Sequence, residues 1–286
     1  MSTFALTGYT PEAVERGYNN RAAVPDHPRW FAWYAEKSAA ARASLTHRAD
    51  LRYGPGAKET LDLFVPDGAA RGTLVFIHGG YWRALDKHDV SFVAAPFVAG
   101  GFAVAAVNYD LCPAVSVSVI VDQCRRAVAW LAREGGKHGT STQRVVVGGN
   151  SAGGHLAAMM VATDPASLGL DAKSFAGAVS VSGVHDLTPL VLFSFNTDMR
   201  LDVAEALRLS PAFLAPQSSA PLLLAVGSDE TAEFLRQTWI QWDRWPQSRP
   251  HGVEAPLIVP GCDHFSVLAE YAEPSSALTR ATLALF

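Results

Sequence analysis

Short apolar runs recur along the chain at Leu61–Val65, Thr73–Ile77, Phe102–Val107, Arg144–Val147, Gly177–Val181, Leu222–Val226 and Leu257–Val259. Each is too short for a helix and apolar at successive positions, which places both faces of a strand in the interior. Longer segments of helical spacing separate them. Ser116–Glu134, for example, carries Val119, Ile120, Gln123, Ala127, Trp130 and Leu131 at near-helical intervals. Strands alternating with helices predict an α/β architecture, a mostly parallel central sheet with helices on both faces. Ahead of it, His47–Tyr53 and Leu61–Val65 flank Gly54-Pro55-Gly56 and predict an antiparallel opening hairpin.

Two regions interrupt the alternation. Thr10–Ala43 contains Trp30, Phe31, Trp33 and Tyr34, and predicts a helical extension packed against the body. His185–Pro216 contains Leu190, Leu192, Phe193, Phe195 and Met199, and fits either a small cap over a site or a plain helical connection. The sequence contains no internal repeat, no low-complexity tract and no long Pro/Gly/Ser linker. One domain over residues 1–286 is the expectation.

Composition narrows the partners. Of the 286 residues, 49% are hydrophobic and 17% charged, which suits a large buried core. The net charge of −4, with no Lys/Arg-rich stretch, argues against a nucleic-acid or anionic-lipid surface. Met1–Asn20 lacks the apolar segment of a signal peptide, and no run approaches the ~20 residues that cross a bilayer. Cys112, Cys124 and Cys262 are odd in number and lack C-x-x-C spacing. They predict reduced thiols and a cytoplasmic protein.

The chemistry concentrates in two glycine-rich stretches. Gly149-Asn150-Ser151-Ala152-Gly153-Gly154-His155 holds G-x-S-x-G between a strand run and a helical segment ending near Asp164-Pro165. That context makes Ser151 a nucleophile on a sharp turn, with glycines leaving it room and the Ala152 N–H beside it. His78-Gly79-Gly80-Tyr81-Trp82 follows a strand, so the Gly79 and Gly80 N–H groups can join that of Ala152 as an oxyanion hole. His78 reads as a brace for this loop.

His264, in Pro260-Gly261-Cys262-Asp263-His264-Phe265 after the last strand, fits the serine–acid–histidine order of an α/β-hydrolase fold. Histidine's ordinary pKa near ~6.5 suits a general base. His155, fixed on the nucleophile's own helix, is poorly placed for that role. Gly227-Ser228-Asp229-Glu230 ends another strand and offers two acids. In many hydrolases of this fold the acid lies three residues past the strand-end glycine, which selects Glu230; Asp229 is then a helix cap or neighbour. Asp263 shapes the histidine loop. No metal-ligand cluster, phosphate loop or dinucleotide fingerprint is present, so neither metal nor cofactor is expected. Trp239, Trp242 and Trp245 predict one apolar helix face.

With these residues in view, the chain resembles the kynurenine formamidases (arylformamidases), and more distantly the hormone-sensitive-lipase-like esterases. The resemblance rests on His78–Trp82, where the esterases usually carry a third glycine, on Asn108-Tyr109-Asp110-Leu111 with Pro113, and on the Gly149–His155 elbow. It extends through Ser182–Leu187, Glu230–Gln237 and Asp263-His264-Phe265, from about Tyr18-Asn19-Asn20-Arg21 onward. It implies Ser151 as nucleophile, His264 as base and Glu230 as acid. Several family members carry aspartate there, which keeps Asp229 open. The implied reaction is cleavage of an N-formylkynurenine-like aryl formamide through an acyl-enzyme. A small-acyl carboxylesterase is the alternative, and a non-catalytic scaffold of the same fold a third. Tyr81 and Trp82 either line an aryl pocket or, for Trp82, pack beneath the loop. Arg83, Arg200 and Arg236 are candidate carboxylate binders. The expected partner is a small acyl substrate, with no nucleic acid or membrane; a homodimer is left open.

Overall fold

Burial on both faces is what the apolar runs require, and most of the sheet meets it. In a computed structural model describing residues 8–286, β2 (Thr60–Phe64), β3 (Thr73–Ile77), β4 (Ala103–Val107), β5 (Val145–Asn150) and β7 (Leu222–Gly227) are buried at every position. The first seven residues, part of the stretch read for a signal peptide, lie outside the described residues. β1 (His47–Arg52) and β8 (Leu257–Val259) are the more exposed sheet edges, and β6 (Phe175–Val181) lies between β5 and β7. The order is β1-β2-β4-β3-β5-β6-β7-β8. β1 and β2 form the antiparallel hairpin, β2 meets β4 antiparallel, and every later pairing is parallel.

Successive residues of a strand point to opposite faces. Val75 and Ile77 accordingly enter one core, while Leu74 and Phe76 enter the other. The chain runs from β3 outward to β4, then returns past β3 to β5. That reversal opens a crevice at the carboxyl ends of β3 and β5, where open α/β sheets bind ligands.

The helices cover both faces. On Val117–Glu134 the buried stripe is Val117, Ile120, Val121, Cys124, Ala127, Val128 and Leu131. Val119 falls off that phase and is 39% exposed, against its expected place in the stripe. The tryptophan face is likewise only partly right. Trp242 and Trp245 are buried, but Trp239 stands 43% exposed because it sits on the outer side of Ala232–Arg244.

The N-terminal region is three helices, Pro11–Tyr18, Asn20–Ala23 and Pro28–Ser44. Hydrogen bonds clamp it to the body. The Gln237 amide donates to the Tyr18 hydroxyl (2.7 Å), Thr231 Oγ1 donates to the Gly17 carbonyl (2.6 Å), and the Tyr34 hydroxyl donates to the Phe265 carbonyl (2.5 Å). Between β6 and β7, residues 185–216 form short helical turns. They are fastened by Ala212 N–H to the His185 carbonyl (3.0 Å) and by Arg83 to Asp198 (2.6 Å). Among the described residues, no helix is long and apolar enough to cross a membrane. All three cysteines are free and buried.

One buried charge pair lies under the β1–β2 edge. Lys87, 1% exposed, donates to Asp62 at 2.7 Å, and Asp62 is fully buried. Lys87 also reaches Asp50 at 2.9 Å, so its ammonium supplies the positive charge in the Asp50–Asp62–His88 cluster. Removing one partner of such a pair strands the other charge. Lys87→Met is expected to lower the unfolding free energy by about 3–5 kcal/mol in urea denaturation, with Asp62→Asn recovering part of it. A loss below about 1 kcal/mol in the single variant would contradict a pairing role.

Candidate active site

Ser151 sits at the end of β5 with φ +55° and ψ −119°, a backbone conformation that non-glycine residues rarely adopt. The glycines flanking it permit the turn. A Cβ on Gly153 would lie 2.0 Å from the Ile77 carbonyl oxygen, and one on Gly149 would lie 2.4 Å from the Gly153 carbonyl oxygen. The Ser151 N–H is tied to the Val181 carbonyl of β6 at 2.8 Å. Ala152–Val161 then begins a fully buried helix, with the Ala152 N–H in its first turn.

The register of β3 on β5 pairs Ile77 with Gly149, which brings residues 78–80 alongside the serine. A Cβ on Gly79 would approach the Ser151 Cβ to 3.2 Å, and Gly80, at φ +101°, has no room for one beside the Ala84 carbonyl. The Tyr109 hydroxyl donates to the His78 and Gly79 carbonyls at 2.9 and 3.2 Å. In trans peptides the N–H opposes the C=O, so the Gly79 and Gly80 N–H groups point away from Tyr109. His78 is fully buried, stacked on Tyr109 with centroids 4.2 Å apart, and bonded to the Asn108 side chain at 3.2 Å. It braces the loop.

The loops after β7 and β8 are stitched together. Ser228 N–H reaches the Val259 carbonyl (2.9 Å), Asp229 N–H the Cys262 carbonyl (3.0 Å), and Gly261 N–H the Ser228 hydroxyl (2.8 Å). Asp263 Oδ1 accepts from the Phe265 and Ser266 N–H groups, both at 2.8 Å, and so shapes the turn that presents His264. The result is a buried contact of 2.7 Å between His264 Nδ1 and Glu230 Oε2. The second carboxylate oxygen of Glu230 accepts from the Gly227 N–H (2.9 Å) and from the Ser182 hydroxyl. Asp229, exposed, accepts from its neighbour Ser228 at 2.7 Å, and Thr231 rather than Asp229 is the N-cap of the following helix.

Ser151, His264, Gly80 and Tyr81 line one cavity of about 60 Å³ at the β3/β5 crevice. Ser151 and His264 face it without a mutual hydrogen bond among the described residues. That contact commonly tightens only around substrate. The N-terminal helices supply Asn20, Arg21, Phe31 and Tyr34 to the wall, and the 185–216 segment supplies Phe195. Trp82 is not in the wall. It is fully buried beneath the loop, edge-on to His155 at 5.0 Å, and its carbonyl accepts from the Cys112 N–H at 2.8 Å. This corrects the aryl-pocket option for Trp82.

The arginines also redistribute. Arg236 is held by Glu233 (2.9 Å) and Asp186 (3.3 Å) outside the cavity wall, Arg200 is not in the wall, and Arg83 is there but paired with Asp198. Arg21 is the wall cation that no arginine expectation named. Its only signal in sequence was membership of the Tyr18–Arg21 stretch. Ser182 was likewise visible only as part of Ser182–Leu187, since its role depends on β6 lying between β5 and β7.

Three further histidines are locked neutral around this framework. Burial pushes His78 down to about 4, His155, bonded to the Leu209 carbonyl at 2.7 Å, down to about 4, and His185 down to about 3.

Comparison with known proteins places this geometry among hydrolases. The family described as BD-FAE matches residues 61–192. The kynurenine formamidase of Salmo salar is 32% identical over 239 residues, covering 81% of this chain and 79% of that one. The Danio rerio kynurenine formamidase is 30% identical over 251 residues, covering 85% and 83%. Among solved structures, a proposed thioesterase from Silicibacter superposes with a TM-score of 0.83 at 32% identity, covering 93% of this chain and 97% of that one. Esterase B from Lactobacillus rhamnosis superposes at 0.68 with 19% identity, covering 93% and 96%, and speaks for the fold alone.

Two outcomes test the site. Glu230→Gln is expected to cut turnover of an acyl substrate by about 10³–10⁴-fold by spoiling the His264 tautomer, with Asp229→Asn within about threefold of wild type; the reverse ranking would move the acid to Asp229. The histidines set an acid limit on stability. Their folded pKa values lie below the unfolded one, so the stability they confer is full above about pH 6.5 and is lost as pH falls toward 4. Each contributes a slope of up to about 1.4 kcal/mol per pH unit. Urea midpoints unchanged between pH 6.5 and 5, or an unchanged slope in His155→Gln, would overturn this.

Proposed function

This chain belongs to the kynurenine formamidase family, and from that premise we propose a serine hydrolase that cleaves an aryl formamide through a formyl-enzyme. The observation that carries the mechanism is the buried Glu230–His264 contact, at the ends of β7 and β8, lining one cavity with a strained Ser151 at the end of β5. Glu230 accepts from Nδ1–H of His264, which leaves Nε2 as the free base. Nε2 takes the Ser151 proton as Oγ attacks the formyl carbon. The Gly79, Gly80 and Ala152 N–H groups receive the oxyanion, each such donor contributing about 100–1000-fold in turnover.

Collapse of the tetrahedral intermediate breaks the C–N bond, and the imidazolium returns its proton to the departing aryl amine. Water then attacks the formyl-enzyme with Nε2 as base, releasing formate and regenerating Ser151. A formyl group is the smallest acyl unit, which suits the confined space beside Ser151. Tyr81 contributes a fixed aromatic wall, since its hydroxyl is tied to the Tyr18 carbonyl at 2.5 Å. The substrate is a small molecule on this reading.

Esterase relatives support a second reading, cleavage of short-chain esters by the same groups. Esterase LipQ of Mycobacterium tuberculosis is 28% identical over 194 residues. The formamidase reading predicts that purified protein turns over N-formylkynurenine with a kcat/KM at least tenfold above p-nitrophenyl acetate or butyrate, and that a fluorophosphonate labels Ser151. Fast ester cleavage with negligible formamide turnover would establish the esterase. No labelling and no turnover would leave a non-catalytic scaffold.

A further inference from the structure

Between Gly80 and Asp86 the chain makes a strained excursion. Gly80, Tyr81, Trp82 and Leu85 all stand at positive φ, at +101°, +51°, +56° and +71°. Such a loop keeps its shape only where its surroundings over-determine it. Its first end carries the Gly79 and Gly80 N–H groups, so whatever anchors the loop bears on the reaction.

One side chain joins the two ends. Asn108, 4% exposed just past β4, donates from Nδ2 to Asp86 Oδ2 at 2.8 Å, and its Oδ1 lies 3.2 Å from His78 Nε2. The Asn108 backbone is fixed as well. Its N–H donates to the Thr60 carbonyl at 2.9 Å, and its carbonyl accepts from the Tyr53 hydroxyl at 2.5 Å. Asp86 is held in turn by the Lys58 ammonium at 3.3 Å and the His88 N–H at 3.2 Å. A carboxylate only accepts, so Asp86 dictates that the amide presents its oxygen to His78. The His78 ring, kept neutral by burial, has one N–H for that oxygen and for the Gly79 carbonyl, 2.8 Å from Nδ1.

Asn108 and Asp86 stand apart from the substrate. Neither lines the cavity that holds Ser151, and both line a separate hollow with Lys58 and His88. We infer that Asn108 is a positioning residue for the oxyanion hole, a clasp that ties His78 to Asp86 and so closes the strained loop at both ends. The His78 ring lies against the Gly79 carbonyl, and the other end of that same planar peptide is the Gly80 N–H. Fixing the ring therefore fixes the direction of a donor. This rests on the serine-hydrolase reading and deepens it.

The test separates oxyanion stabilisation from folding. Fluorophosphonate labelling taken to completion counts competent serines, and kcat is expressed per labelled serine. In Asn108→Ala, kcat is expected to fall about 10–100-fold on N-formylkynurenine and on p-nitrophenyl acetate alike, with KM within about threefold of wild type. Trifluoroacetophenone supplies the second readout. Ser151 Oγ adds to its carbonyl carbon, the serine proton passes to His264, and the carbonyl oxygen becomes the oxyanion. Its affinity is expected to weaken by the same factor as kcat/KM. Asp86→Ala carries the same test to a side chain that is 28% exposed, with an expected loss of at least about threefold in both readouts. Asp86→Asn, whose amide can still bond Asn108, is expected to recover part of it. A kcat per labelled serine within about twofold of wild type in both Asn108→Ala and Asp86→Ala would overturn the clasp and spare the hydrolase reading. So would a lowered kcat with unchanged trifluoroacetophenone affinity. A wild type that neither labels nor turns over either substrate overturns both.

Discussion

The close approach of two backbones at the end of β3 and β5 is the constraint on which the site depends. Ile77's carbonyl passes so near Gly153 that no Cβ fits between them, and Ser151 is forced to a positive φ at the head of its helix. The cost of that conformation, of order 1–3 kcal/mol, is met by the buried β5–β6 pairing and by a helix with no exposed residue. Because the same register places Gly79 against Ser151, the turn that holds Ser151 also sets the Gly79–Gly80 loop beside it. One packing contact serves both tasks.

The rest of the machinery follows strand order outward from that point. β6 delivers Ser182, β7 delivers Glu230 and β8 delivers His264, so the strand carrying the Ser182 hydroxyl, which donates to Glu230, lies between the strands of Ser151 and Glu230. Ser182 itself stands at φ +51°, a second strained residue at a strand end. A carboxylate that accepts from a hydroxyl and a backbone N–H with one oxygen has only the other to give the imidazole, which fixes its direction. The stitched β7 and β8 loops make this a rigid unit, in contrast to an acid reaching from a mobile loop.

What was legible in the sequence was whatever short-range sterics decide. The strand runs, the opening hairpin and the elbow each depend on a few adjacent residues, and each stands near where the pattern placed it. Glu230 could be separated from Asp229 in the structure because one side chain turns inward from the strand end and the other outward, a difference two adjacent acids do not display in sequence. Val119, Trp239 and Trp82 failed for a different reason. A helix stripe or an aromatic pair specifies periodicity, but which residues become buried depends on the angle at which the element meets its neighbours. Arg21 was illegible because nothing local shows which arginine faces the cavity. Only tertiary structure shows that Arg236 has carboxylates beside it, whereas Arg21 lines the cavity.

This separation has a physical basis in how the two halves of the cavity are built. The sheet half is anchored by strand register and buried backbone hydrogen bonds, so its geometry can change little without loss of the fold. The N-terminal half is attached by side-chain bonds such as Gln237 to Tyr18 and Tyr34 to Phe265, and its cavity-facing residues support no strand. Substitutions at Asn20 or Arg21 therefore change the cavity wall while leaving the elbow and the Glu230–His264 contact in place.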